Sequence, residues 1–407
     1  IRRPPRSTPS NSSAASDVYK RQVFFCVPTV MDIESISQEL NRGIEEYTII
    51  LHNDLPARKL DASWKKGISE YQHPLLIIAT GFFLSLPRKD IGAIIVEKEN
   101  SDHYKIQTRP YIDLRKAAEE VARAFKSRLI LGDEIVRIED YLQKEQGNFL
   151  SPLFHISRPR SNAKHFLIDM RKQSEFRFKP ETFAIISSEL KDILKNARDR
   201  NERSLLFINR RGHSPTTICN DCGKILTCAQ CNIPLVLHIN SNNKRAFICH
   251  KCFLQSPIPS RCPYCKSWKL ISLGIGIQKV KEELQRILPY AEVFILTKDE
   301  IKNKKQGKEV IKKFLDRPGS ILLGTEFIFS FLDSGVDPVR KNNHFLNGIE
   351  NVAVISLDAL FAIPDFRIPE RIFHTLLRLK NLATKTFLIQ TRLPEHYLFN
   401  YLSLIHI

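Results

Sequence analysis

Apolar runs of four or five residues recur along this chain between longer, polar-patterned stretches. In the first part they are VFFCV (23–27), YTIIL (47–51), LLIIA (75–79), AIIV (93–96) and RLIL (128–131). The stretches 31–42, 56–70 and 112–126 between them read as helices. Short apolar strands alternating with helices predict a mostly parallel sheet, whose strands are covered on both faces. A second set follows, with strands at SLLFI (204–208), VFIL (293–296), SILL (320–323), VAVISL (352–357) and TFLI (386–389). Its helices are expected at 181–200, 277–288, 307–316 and 367–381. Residues 146–175, rich in Ser, Pro and Arg near 146–163, are expected to link lobe 1 (23–145) to lobe 2 (176–402).

A different pattern interrupts the second set. Of the nine cysteines, eight lie between positions 219 and 265, as four Cys-x-x-Cys pairs. Two such turns aim four sulfurs at one point and can close a tetrahedral zinc site, so four pairs imply two zinc ions. Seventeen residues separate Cys231 from Cys249, which fits the spacing of two pairs that share one metal. That favours a nested arrangement: Cys228, Cys231, Cys249 and Cys252 on the inner site, Cys219, Cys222, Cys262 and Cys265 on the outer. A sequential pairing across the five residues from 223 to 227 is the tighter alternative. Gly223, Asn232 and Pro263 suit turns around metal-bound sulfurs. Disulfides would need an oxidising compartment, and no secretory signal is visible. Sites with four cysteines are closed to water, so these are read as structural in an insertion at 215–272.

Charge adds a partner class. The formal net charge is +18, which favours a polyanion, most often nucleic acid. No apolar run reaches the 18 or so residues of a membrane span. The ends read differently from the rest. Residues 1–22 are rich in Arg, Pro and Ser, without apolar period, and are expected to be disordered or non-native; they look like translated adapter sequence, as does 403–407.

Two α/β halves with a paired-zinc insertion after SLLFINRRGHSP (204–215) resemble the helicase core of primosomal protein N′, the PriA-type replication-restart helicases. Further matching blocks are VPT (27–29), ILHNDLPARKLDASWKKG (50–67), LIDMR (167–171), GIGIQKVKEEL (274–284), ILLGTE (321–326) and PDFRIPER (364–371), in the family's order. The resemblance implies two RecA-like lobes with ATP and magnesium between them. It also implies ATP-driven 3′-to-5′ unwinding of DNA at stalled forks, contacts with other primosome proteins, and a cytoplasmic, nucleoid-associated location. A monomer is expected.

The residues that would run the ATPase depart from that pattern. No G-x-x-x-x-G-K-[ST] phosphate loop is present in the sequence. Where the family has Asp-Glu-Glu-His, this chain has Glu97, Lys98, Glu99 and Asn100. Lys98 puts a cation where a carboxylate should activate water. NLATK (381–385) puts Leu382 and Lys385 at the positions of the family's arginine fingers. Ser330 and Phe331 replace a Lys-Gly, GDEIV (132–136) replaces a Gly-Ser-Ala motif, and an insertion follows at about 333–349. Glu97, Glu99, Arg367 and Arg371 would be the remnant of the nucleotide site.

The resemblance also marks a DNA-facing set. Tyr104, Lys105 and Arg115 match an aromatic-rich DNA-sensing loop, and Arg210 and Arg211 leave a strand end as paired guanidiniums suited to phosphate. The expectation is therefore a DNA-binding pseudo-helicase of replication restart, with little or no ATP turnover. The alternatives are an active helicase with divergent motifs and a missing N-terminus, or a zinc-ribbon module that binds proteins.

Overall fold

The computed structural model describes residues 22–69, 73–150, 161–172, 185–209, 216–239, 245–249, 251–257, 259, 261–273, 275–332, 348–363 and 365–404. They fall into two compact units, one built on the strands up to residue 132 and the other on those from 164 onward.

The first unit runs β1 (Gln22–Val27), α1 (Val30–Leu40), β2 (Thr48–Leu51), α2 (Ala57–Ile68), β3 (Leu76–Thr80), β4 (Ile91–Glu97), α3 (Leu114–Phe125), β5 (Arg128–Gly132) and α4 (Ile138–Glu145). Its five strands lie in the order β2-β3-β1-β4-β5, and every pairing is parallel. Phe24, Cys26, Ile77, Ile94 and Val96 form the centre of the core, as the unbroken apolar runs predict for strands covered on both faces. Local chemistry fixes the helix starts. Thr29 caps α1 by accepting from the Asp32 N–H, and Asp113 caps α3 by accepting from the Arg115 N–H. Lys126 ends α3 in the left-handed region, at φ 54°.

The second unit begins with β6 (Lys164–Asp169), α5 (Ser188–Asp199) and β7 (Ser204–Ile208). An insertion follows, made of β8 (Thr216–Cys219), β9 (Val236–Ile239), β10 (Arg245–Ile248), β11 (Gln255–Pro257) and β12 (Leu270–Leu273). The chain then returns through α6 (Ile277–Ile287), β13 (Val293–Leu296), α7 (Lys304–Asp316), β14 (Ile321–Gly324), β15 (Ile349–Ser356), α8 (Ile368–Leu382), β16 (Ala383–Thr391) and α9 (Tyr397–Leu404). The main sheet has the order β13-β14-β7-β15-β16-β6, again with parallel pairings throughout. The insertion is a separate antiparallel sheet, β11-β10-β9-β8-β12. Its own small core holds Leu226, Leu235 and Phe247 beside Cys228 and Cys249.

Every apolar run named from the sequence is a strand, and the α/β class expected is observed. The linker expected at 146–175 is corrected. Residues 164–169 within it form β6, paired in register with β16 from Thr386 to Thr391. This strand lies at the sheet edge and is largely exposed, so it lacks the apolar run that marked the others.

Candidate functional site

The four Cys-x-x-Cys turns are built alike. In each, the residue after the second cysteine donates its N–H to the carbonyl of the first: Gly223 to Cys219, Asn232 to Cys228, Phe253 to Cys249 and Lys266 to Cys262, all at 2.9 Å. Those four residues have φ of 69°, 55°, 59° and 63°. A left-handed residue is what closes the turn and leaves both sulfurs on one side; glycine and asparagine adopt it readily.

The turns combine in the nested order. Cys219, Cys222, Cys262 and Cys265 form one cluster, and Cys228, Cys231, Cys249 and Cys252 the other, with all four sulfurs of each within 4.8 Å of one another. Individual Sγ···Sγ distances are 3.5 Å for Cys219–Cys265, 3.8 Å for Cys222–Cys262, 3.5 Å for Cys228–Cys252 and 3.2 Å for Cys231–Cys249. A tetrahedron with metal–sulfur bonds of about 2.3 Å has edges of roughly 3.8 Å, so each cluster is sized for one metal ion and fits zinc. The two sites are distinct in setting. The inner one is packed within the insertion's own core, whereas the outer one touches the main lobe. Buried Arg392 donates from Nη1 to the carbonyls of Gly223, at 3.1 Å, and Met170, at 3.2 Å. A Cβ at Gly223 would lie 2.9 Å from the Cα of Arg171. The Arg392 N–H in turn donates to buried Asp358.

The acid motif of the first unit is tied up internally. Lys98, at φ 51°, turns the chain out of β4, and its Nζ lies 2.7 Å from Asp32 Oδ1 at the start of α1. That turn sends Glu99 inward, where it is 0% exposed. Arg137 Nε donates to Glu99 Oε2 at 2.7 Å and its Nη2 to Asp140 at 2.7 Å. Burial pushes the Glu99 carboxyl up to about 7, against the pull of the Arg137 guanidinium and its backbone N–H. The off-pattern segment 132–136 packs on the same turn. Glu99 N–H donates to the Gly132 carbonyl, and Asn100 bonds to Asp133 and the Ile135 carbonyl. The two departures from the family pattern thus support each other. Glu99, expected in the remnant of the nucleotide site, is instead a member of a buried ion cluster. Glu97, at the end of β4, is half-buried.

Two residues expected to face DNA are corrected in the same way. Tyr104 is 1% exposed, with its hydroxyl 2.7 Å from the Glu97 carbonyl and 3.0 Å from that of Cys26. Its ring is core, so no face is open to a base. Arg115 is 3% exposed. It forks onto Asp113 at 2.7 and 2.8 Å and donates to the Glu99 carbonyl at 2.7 Å. Burial raises the Asp113 carboxyl, and the Arg115 hydrogen bonds outweigh that and hold it below its ordinary value. Lys105 remains half-buried at the surface. Arg210 and Arg211 lie outside the described residues.

In the second unit, Arg367 precedes α8 and stacks its guanidinium over the exposed Phe366 ring, 5.3 Å from the centroid. Arg371 lies one turn on, half-buried. The stretch matching the arginine-finger element has no loop: α8 runs to Leu382 and β16 starts at Ala383. Lys385 pairs with Glu202 at 2.6 Å. Phe331 is buried edge-on against Phe327, and a Cβ on Gly307 would meet its ring at 2.3 Å. Most of the insertion at 333–349 lies outside the described residues. Sequence reasoning missed Arg137, Asp140, Asp358 and Arg392, since only long-range packing gives these common residue types a role.

Curated relatives fit this picture. The chain is 28% identical to replication restart protein PriA of Bacillus subtilis over 354 residues, which is 86% of this chain and 41% of that protein. It is 27% identical to PriA of Borreliella burgdorferi over 94% of this chain and 55% of that one. Against PriA of Helicobacter pylori J99 the figures are 28%, 82% and 50%. The chain thus spans about half the length of the curated relatives it matches. No family model matches it. Among solved structures, S. cerevisiae Dbp5 bound to RNA and ADP BeF3 aligns over 96% of this chain and 75% of that one, at 12% identity and a TM-score of 0.44. The helicase MrfA bound to DNA aligns over 95% and 43%, at 9% identity and a TM-score of 0.46. Along most of its length, then, the chain is similar to the PriA-type replication restart proteins, as its ordered motif blocks imply.

Proposed function

We propose that this protein binds forked or single-stranded DNA in replication restart, docks primosome partners, and does not turn over ATP. The observation that carries this reading is the Lys98–Asp32 pair: the position of the water-activating acid holds a cation that is already neutralised by its neighbour. The burial of Glu99 and the missing finger loop at 382–385 support it. Each four-cysteine cluster holds one structural zinc ion, because a closed thiolate set leaves no position for water or substrate. Exposed Trp268, at 75%, and Phe253, at 75%, stand on turns of two different clusters and give the module an aromatic docking surface. The protein works as a cytoplasmic, nucleoid-associated monomer. No helix among the described residues is long and apolar enough to cross a membrane.

The test pairs two assays on the purified chain. DNA-stimulated ATP hydrolysis is expected to be indistinguishable from a no-protein blank, while forked DNA binds more tightly than blunt duplex and the binding weakens with salt. Turnover near one per second would overturn the pseudo-helicase and favour an active, divergent helicase. Absence of salt-dependent DNA binding would leave a protein-docking module.

A further inference from the structure

The second unit carries a concentration of lysine that neither the metal sites nor the acid motif uses. Seven lysines fall between positions 298 and 313. Five are in α7, and its first turn has no acidic residue. Lys305, Lys308 and Lys312 are all exposed. Their spacing of three and four residues puts them on one stripe, about 10 Å long at a rise of 1.5 Å per residue. The opposite face fixes the helix, because Gly307, Ile311 and Phe314 are buried and Gly307 packs directly on the Phe331 ring. The stripe therefore has a set direction.

This placement works against the helix itself. Cations in the first turns oppose the positive end of the helix dipole. Lysines three and four apart repel each other along the stripe, an effect offset in part by exposed Glu309, four residues after Lys305, and Asp316, four after Lys312. A polyanion laid on the stripe relieves both effects. The loop ahead of α7 brings two further exposed lysines, with exposed Asp299 and Glu300 between them. It leaves the carboxyl end of β13, the side of a parallel sheet where ligands gather, and carries exposed Lys298 and Lys302. Its shape is set by a reciprocal cap, in which Asn303 accepts from the Gln306 N–H at 2.9 Å and Gln306 Oε1 accepts from the Lys302 N–H at 3.0 Å.

We propose that Lys305, Lys308 and Lys312 on α7, with Lys298 and Lys302 ahead of it, bind the phosphodiester backbone of a single nucleic-acid strand. The inference rests on the DNA-binding reading above and adds the surface that carries it. One lysine per helical turn recurs at a spacing comparable to that of successive phosphates. The contact is to backbone and reads no sequence.

The experiment measures binding of the full chain to a single-stranded oligonucleotide across a salt series. The triple substitution Lys305→Ala, Lys308→Ala and Lys312→Ala is compared with Lys59→Ala, Lys195→Ala and Lys279→Ala, three exposed lysines elsewhere. Loss of three phosphate contacts should reduce the slope of log K on log salt by about 2 and weaken binding on the order of 100-fold at 0.1 M salt. Replacing the same three lysines by arginine should keep the slope. The control triple should move it far less. A stripe variant with the wild-type slope, or a control with the same loss, would overturn the stripe and leave the DNA-binding reading standing. Wild-type protein that shows no salt-dependent binding would overturn both.

Discussion

Lys98 Nζ lies 2.7 Å from Asp32 Oδ1, joining the turn after β4 to the first turn of α1. The pair matters because Asp32 sits where a helix N-terminus already favours negative charge, and Lys98 holds it there from a left-handed backbone position. Lys98→Glu restores the acid that the helicase pattern has at this position. It is expected to give no ATP turnover, since Glu99 stays buried on Arg137 and the finger positions remain Leu382 and Lys385. It also sets a carboxylate against Asp32, costing about 1 kcal/mol. The melting temperature should fall by a few degrees in calorimetry. An appearance of DNA-stimulated hydrolysis in this single variant would show that Lys98 alone blocks turnover and that the Glu99 and 382–385 departures do not.

Glu99 and Arg137 form a buried pair with the opposite balance. Removing only the cation, as in Arg137→Met, leaves the buried Glu99 and Asp140 carboxylates without their guanidinium and should cost about 3–5 kcal/mol. The double variant Glu99→Gln, Arg137→Met should recover the part of that loss that Glu99 causes, with Asp140 still lacking the guanidinium. The pH dependence follows from the raised pKa. The protonated acid is the form that the folded state favours, so this group's contribution is fully present below its ordinary value near 4.3 and is lost as pH rises through about 7. The deficit of Arg137→Met should therefore be smallest near pH 5 and widen toward pH 8 in urea titrations. A deficit that shrinks with rising pH would contradict the burial argument.

What the chain disclosed depended on how local the cause was. The strands of both parallel sheets were legible because burial on both faces demands continuous apolar runs. The cysteine pairs were legible because each turn is a local geometry with its own donors. β6 was not, since KHFLID at a sheet edge has no buried face to enforce a pattern. Tyr104 and Arg115 read as a surface loop because a tyrosine beside a lysine looks the same in sequence whether solvated or packed. Their burial comes from carbonyls of Cys26, Glu97 and Glu99, one of them 78 residues away. The anchoring of the outer metal turn by Arg392 is invisible for the same reason, as its partner Gly223 is 169 positions distant.

That anchor yields a third expectation. Gly223 is left-handed at φ 69° and faces the Arg171 backbone at a distance that admits no Cβ. Gly223→Ala should cost about 1–2 kcal/mol from backbone conformation alone, with the close contact added. The strain falls on the outer cluster. A chelator competition should then release one metal ion faster than in wild type and the second at the wild-type rate. Arg392→Lys, which cannot span both the Gly223 and Met170 carbonyls in a planar fork, should loosen the same site. Equal acceleration of both ions would show that the two clusters share one folding unit.

The nested arrangement can be separated from sequential pairing by metal stoichiometry. The nested geometry assigns Cys219 and Cys265 to a single cluster. The double variant Cys219→Ser, Cys265→Ser should thus keep one zinc ion per chain, against two in wild type, by elemental analysis. Under sequential pairing the same two changes would strike both sites and leave neither with four thiolates. Removing both ions by chelation should unfold residues 216–273, whose small core depends on Cys228 and Cys249, because binding and folding are one step in such modules. The parallel sheets rest on their own apolar cores and should persist. Limited proteolysis of the metal-free protein is expected to cut within the cysteine-rich stretch first. Cleavage there at the same rate as in the zinc-loaded chain would mean that the metals do not hold the insertion together.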